Sequence, residues 1–137
     1  MGLVHAEITL KNAGDVAFAR CGFINEPEIR QTTVQAMVDT GAGTLVINDT
    51  VFNLLGLTVT GKRRAELADG AMQEYQVTEP VDILWKDRAT SCRALVLPGS
   101  SDVLLGAIPL EDMDLIVDPA RQALTGAYGD EVLCMIK

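Results

Sequence analysis

The 137-residue chain predicts an all-β fold, a barrel or sandwich carrying one or two short helices. Three observations predict it. Short runs of aliphatic and β-branched residues recur along the chain, separated by turn signals at intervals typical of such folds. Several of these runs alternate polar and apolar residues, as half-buried strands do. Helix signals are confined to two short stretches, one after Asn48 and one around Pro109.

Taken in order, residues 5–11 alternate, with Ala6, Ile8 and Leu10 on one face, and form the first strand. Asn12, Ala13, Gly14 and Asp15 turn the chain, and residues 16–23 return as a second strand, making a hairpin. Residues 25–30 are polar, contain Pro27 and read as a loop. Thr32, Val34 and Ala36 alternate in the third strand, residues 31–37, which leads to Asp39. Leu45, Val46 and Ile47 form the next. Asn48, Asp49 and Thr50 then start a short helix over residues 51–55, which Gly56 stops.

Residues 57–59 are extended. Residues 63–68 and 72–77 are the arms of a long polar hairpin turned at Asp69 and Gly70. It reads either as an exposed edge hairpin or as a mobile flap over a cleft. Residues 81–85 and 92–97 are strands on either side of a turn at Lys86, Asp87 and Arg88. A buried strand over 102–106 ends in Gly106, and Pro109 stands near the start of a one-turn helix. Residues 115–117 form another strand. Asp118 and Pro119 turn the chain into residues 121–124, and residues 131–136 form the last strand. No short-period repeat is present.

Composition narrows the function. With 48% apolar residues the chain is globular, and its length suits a single domain spanning residues 1–137, although it could be a domain of something larger. Nineteen acids against eleven bases give a net charge of −8, which argues against nucleic acid as a partner. Cys21, Cys92 and Cys134 are scattered and odd in number, the pattern of reduced thiols in a cytoplasmic protein. His5 is the lone histidine, which disfavours a zinc site and Ser-His or Cys-His nucleophiles. No run reaches the ~20 apolar residues of a membrane span, and Glu7 and Lys11 interrupt any signal-like N-terminal segment. No membrane partner and no cofactor are expected, so catalysis would fall to carboxylates.

Asp39 is the carboxylate that stands out. It follows Ala36, Met37 and Val38 and precedes Thr40, Gly41, Ala42 and Gly43, with the apolar run from Leu45 close behind. An acid beside buried strands is costly unless hydrogen-bonded, and Gly41 and Gly43 permit a tight turn whose N–H groups can face it. Asp-Thr-Gly is also ordinary turn chemistry. The segment Val38-Asp39-Thr40-Gly41-Ala42 resembles the active-site loop of aspartic proteases, of the retroviral type. Val103-Leu104-Leu105-Gly106 followed by Ile108-Pro109-Leu110-Glu111 resembles that family's second apolar strand and helix. Leu115-Ile116-Val117-Asp118-Pro119 resembles bacterial retropepsin-like domains. The resemblance covers residues 31–124 and keeps the family's order: Asp loop, helix, flap, Leu-Leu-Gly, helix.

The resemblance implies a closed β-barrel of the acid-protease type and an aspartic endopeptidase. A single Asp-Thr-Gly then implies a homodimer, with Asp39 from each subunit activating a water. Thr40 would brace the two loops, and Gly41 would offer its N–H to a carboxylate. Ala42, Asp69, Gly70 and Ala71 would contact the peptide substrate. Val46, Ile47, Ile108 and Leu110 are either apolar pockets or core. The flap lacks the Gly-rich tip of the viral enzymes, and the terminal strands that lock viral dimers cannot be matched residue by residue here. Two other readings stand beside this one: a non-catalytic peptide-binding or dimerisation module on the same fold, and an unrelated β-barrel in which Asp-Thr-Gly is only a turn.

Overall fold

The computed structural model describes residues 3–66, 68–99 and 101–127, and these form mostly β structure with a few short helices. Strand β1 (His5–Asn12) is followed by helix α1 (Ala13–Arg20), a single 3-10 turn at Glu26–Glu28, and strand β2 (Gln31–Val38). Then come β3 (Leu45–Asn48), helix α2 (Asp49–Leu55), β4 (Val59–Glu66), β5 (Met72–Trp85) and β6 (Arg88–Leu97). The two-residue β7 (Leu104–Leu105), helix α3 (Ala107–Asp112), β8 (Leu115–Asp118) and β9 (Ala123–Gly126) complete the described chain.

Seven strands share one sheet in the order β1-β2-β7-β3-β6-β5-β4, and β1 pairs with β5 as well as with β2. The sheet is mixed: β2 runs parallel to β7 and β3 parallel to β6, while the hairpins are antiparallel. Parallel strands need cover on both faces, which is why β3 and β6 carry apolar residues in succession. The core is aliphatic, built on Ile8, Leu10, Leu45, Ile47, Ile83 and Leu105, each at most 1% exposed. β8 and β9 form a separate two-stranded sheet.

The structure corrects the expected hairpin partner of the first strand. Residues 16–23 do not form a strand; α1 occupies most of this stretch, so the described residues hold three α-helices where one or two were expected. The Asn12 side chain accepts the Asp15 N–H at 3.1 Å and caps the helix, and Ala13, Ala17 and Ala19 favour helix. β1 pairs instead with β2, Ala6 opposite Ala36. Residues 72–77 and 81–85 belong to one strand, β5, whose register shifts between Val77 and Pro80. A bulge is where a strand tolerates proline. The expected strand at 131–136, with Cys134, lies outside the described residues.

A polar clamp joins the helices to the sheet. Asn12 also donates from Nδ2 to the Leu55 carbonyl at 2.8 Å, at the C-terminal end of α2. Arg30 grips the Asp15 carboxylate through Nε at 2.8 Å and Nη2 at 2.9 Å, and its backbone N–H adds a third bond at 3.0 Å. The guanidinium lies against Gly56, where a Cβ would overlap it. Gly56 also has φ 60°, the left-handed cap that ends α2.

The Arg30 hydrogen bond holds the Asp15 carboxyl below its ordinary value, against the opposing effect of burial. The folded chain therefore binds this proton less readily than the unfolded chain. The stabilisation is fully present above roughly pH 4, the unfolded carboxylate range, and is lost as pH falls through the depressed value. Asp15→Asn is expected to cost about 1–2 kcal/mol at neutral pH, since Arg30 is half exposed and solvent weakens its grip. The difference from the parent should shrink in acid, as measured by urea denaturation at a series of pH values.

Candidate active site

β2 delivers Asp39 to the surface end of the sheet. Its parallel pairing with β7 sets Met37 opposite Leu104 and Val38 opposite Leu105, and the Asp39 N–H continues the ladder to the Leu105 carbonyl at 3.0 Å. The chain then turns back, with the Ala42 N–H donating to the Asp39 carbonyl at 3.0 Å. The Gly41 N–H donates to Asp39 Oδ1 at 2.9 Å, so the carboxylate is held by the loop's own backbone. Asp39 is half-buried, and Thr40 and Gly41 are exposed.

The loop rests on Gly106. A Cβ there would overlap the carbonyl oxygens of Thr44 and Ala42. Beyond this contact, the first N–H groups of α3 reach back to the loop. Ala107 donates to the Ala42 carbonyl at 2.8 Å and Ile108 to the Gly43 carbonyl at 3.1 Å. Helix-start donors and loop acceptors thereby satisfy one another. Thr44, buried, donates from Oγ1 to the Arg93 carbonyl at 2.9 Å and ties the loop to β6. Cys92 lies beside it, and burial pushes its thiol up, which leaves it protonated and a poor nucleophile.

Asp39 opens on a cleft of about 640 Å³. Asp39, Gly41 and Ala42 line one part of it, and the apolar side chains of Val46, Leu95, Leu97 and Leu104 line the sheet side. Across from them stand Ala65, Glu66, Ala68 and Tyr75 of the β4–β5 hairpin. Val46 is in register with both Leu95 and Leu104, so these three form an apolar row across three neighbouring strands. A slightly larger groove of about 710 Å³, bordered by His5, Lys11, Trp85 and Leu124, contains none of the Asp loop. The smaller cleft is the better candidate because it holds the carboxylate.

The expected site residues divide. Asp39, Gly41 and Ala42 meet at the cleft. Thr40 borders a different cavity of about 440 Å³, together with Ala107, Leu110, Leu115 and Ile116. Asp69, Gly70 and Ala71 form the exposed hairpin turn, Asp69 Oδ1 accepting the Ala71 N–H at 2.9 Å, and are not among the residues lining the cleft. Of the apolar candidates, Val46 lines the cleft, Ile47 is core, Leu110 is buried beside Thr40, and Ile108 is 56% exposed. Sequence reasoning missed Tyr75, Leu95 and Leu97. The uninterrupted apolar run 94–97 was the available signal, because it leaves apolar side chains on both faces of β6. Among the described residues no group of three or more His, Cys, Asp or Glu could hold a metal ion, and no helix is long and apolar enough to cross a membrane.

An acid fixed by an Asp-Thr-Gly turn, threaded past a Leu-Leu-Gly strand and facing an apolar cleft, is the arrangement of a retropepsin-like aspartyl protease domain. The family model described as aspartyl protease matches residues 26–107, more than half of the chain, and the protein belongs to that family. The fold is similar to the crystal structure of the retroviral protease-like domain of Ddi1 from Leishmania major, at 16% identity and a TM-score of 0.58. That likeness covers 96% of this chain and 91% of the other. Comparison with curated proteins gives no match.

Replacing Gly106 tests the support of the loop. Gly106→Ala is expected to cost about 3 kcal/mol, because the obstructing atoms are backbone and cannot swing aside. Its φ of −92° suits any residue, so the loss would be steric rather than conformational. Urea denaturation of the variant beside the parent measures it.

Proposed function

We propose that the protein is an aspartic endopeptidase that works as a homodimer, each subunit contributing Asp39. The observation that carries this reading is the Asp39 carboxylate, held by the Gly41 N–H at the edge of an apolar cleft. The described chain supplies one such loop, and the chemistry needs two carboxylates. At about 3 Å two carboxylates share one proton, so one acts as acid and the other as base. The base takes a proton from a water that attacks the peptide carbonyl. The acid protonates the developing oxyanion and then the leaving amine.

Thr40, exposed beside the acid, would brace the loop against its copy. The pairing of β1 with β5 supports reading the sheet as the closed barrel of this class. The substrate would be an extended peptide lying between the apolar row and the β4–β5 hairpin, where strand-like pairing is available. The hairpin turn at Asp69, Gly70 and Ala71 would come down on the peptide when it closes. The whole of residues 1–137 would form this single domain, working in the cytoplasm.

Incubation with a mixed peptide library at a series of pH values on the acid side of neutrality tests the reading by mass spectrometry. Cleavage between apolar residues is expected, and Asp39→Asn should lower it by about 10³-fold or more. Sedimentation of the active sample should give a dimer. Undiminished cleavage by the variant would sink the mechanism, and binding without cleavage would favour a non-catalytic peptide-binding module.

A further inference from the structure

Tyr75 lies on β5, directly opposite Arg63 of β4, and is 8% exposed. A tyrosine this well covered normally finds a hydrogen-bond partner for its hydroxyl. Tyr75 has none among the described residues. Its oxygen is not sealed in the interior either, since the buried side-chain atom without a partner among the described residues is Asp114 Oδ2. The cavity that Tyr75 lines is the cleft holding Asp39. Of the residues that line this cleft, Val46, Leu95, Leu97 and Leu104 offer no polar side-chain atom, and the carboxylates of Asp39 and Glu66 make no hydrogen bond to Tyr75.

While the cleft is open, solvent can serve this hydroxyl. A ligand that fills the cleft expels that solvent and must replace the bond, or the complex bears the cost of an unpaired polar group. An extended peptide brings a carbonyl acceptor at every residue, whatever its side chains. We propose that Tyr75 is a peptide-contacting residue, whose hydroxyl donates a hydrogen bond to a main-chain carbonyl of the bound peptide. This rests on the protease reading above. It adds a polar anchor on the hairpin side of the cleft, remote in sequence from the Asp loop.

The test uses the full chain and hexapeptides with apolar central residues. Binding is measured by calorimetry in the Asp39→Asn background, where no turnover interferes, and cleavage is measured with Asp39 intact. Tyr75→Phe removes one oxygen and keeps the ring, so its thermal midpoint should match the parent. Binding should weaken by about tenfold, the usual scale for one such bond, by a similar factor for peptides of different side chains, and KM should rise. Equal affinity with and without the hydroxyl would overturn the proposal, as would a loss confined to one peptide side chain. Cleavage indifferent to Tyr75→Phe would defeat this inference alone. Failure of both proteins to bind or cut any peptide would defeat the protease reading and this inference with it.

Discussion

The close approach of the Asp39 loop to Gly106 is the contact on which the site depends. Because Gly106 has no side chain, the carbonyls of Ala42 and Thr44 occupy the space where one would lie. That closeness brings the Ala107 and Ile108 N–H groups within reach of the Ala42 and Gly43 carbonyls, while the Asp39 N–H meets the Leu105 carbonyl on the other side. The loop is therefore fixed by backbone atoms, which have no rotamers to change. A carboxylate mounted on such a loop keeps its place chiefly through backbone contacts, with the Thr44 hydroxyl adding a tie to β6, the kind of pre-organisation that chemistry at a defined point requires.

The rest of the molecule divides into a clamped part and an open part. Asn12, Asp15 and Arg30 join α1, α2, β1 and β2 through short hydrogen bonds around Gly56. Among the described residues, the arms of the β4–β5 hairpin are linked by one exposed ion pair, Lys62 Nζ to Glu74 Oε1 at 3.6 Å. β4 is exposed along nearly all its length, and its pairing is to β5 alone. Segments with little buried apolar surface lie at the low end of local stability. The Asp loop is thus attached to the firm side of the cleft, and the opposing wall belongs to the side that can open with least loss of packing.

Much of this was legible in the sequence where a local signal and the tertiary structure agree. Asn48 and Gly56 bound α2 as their capping chemistry predicts, and the Asp-Gly turn marks the hairpin. Asp39, Gly41 and Ala42 stand out in the sequence because an acid between buried strands is conspicuous, and the structure sets all three at one cleft. Residues 16–23 misled because Val16 and Phe18 mimic strand alternation, while the deciding feature, the Asn12 cap, depends on a side chain read as part of a turn. Phe18 and Phe23 are both exposed and meet edge-to-face at 6.1 Å, so neither marks a core face. Which hairpin side chains line the cleft was hard to read for a related reason. Alternation assigns a strand's inner face only when one face is apolar, and around residues 62–66 and 72–76 both faces are largely polar. Tyr75 was the one large aromatic there to mark the inward side.

The apolar row above the core explains why this place suits a carboxylate. In β3, Leu45 and Ile47 are core while Val46 turns to the cleft. In β6, Ala94 and Val96 are buried while Leu95 and Leu97 turn to the cleft. One piece of sheet thus has an apolar inner face sealed by the core and an apolar outer face that borders open space beneath the hairpin. Asp39 stands at the edge of the second face, solvated while the cleft is empty. A peptide laid on the row would displace water from the apolar side chains and from around the acid together. Favourable burial along the row would then supply the free energy for desolvating the polar groups at its end. In the lower dielectric that results, each hydrogen bond and each charge acts more strongly than it does in water. On the proposed reading, substrate occupancy and a reactive environment would be two consequences of the same apolar surface.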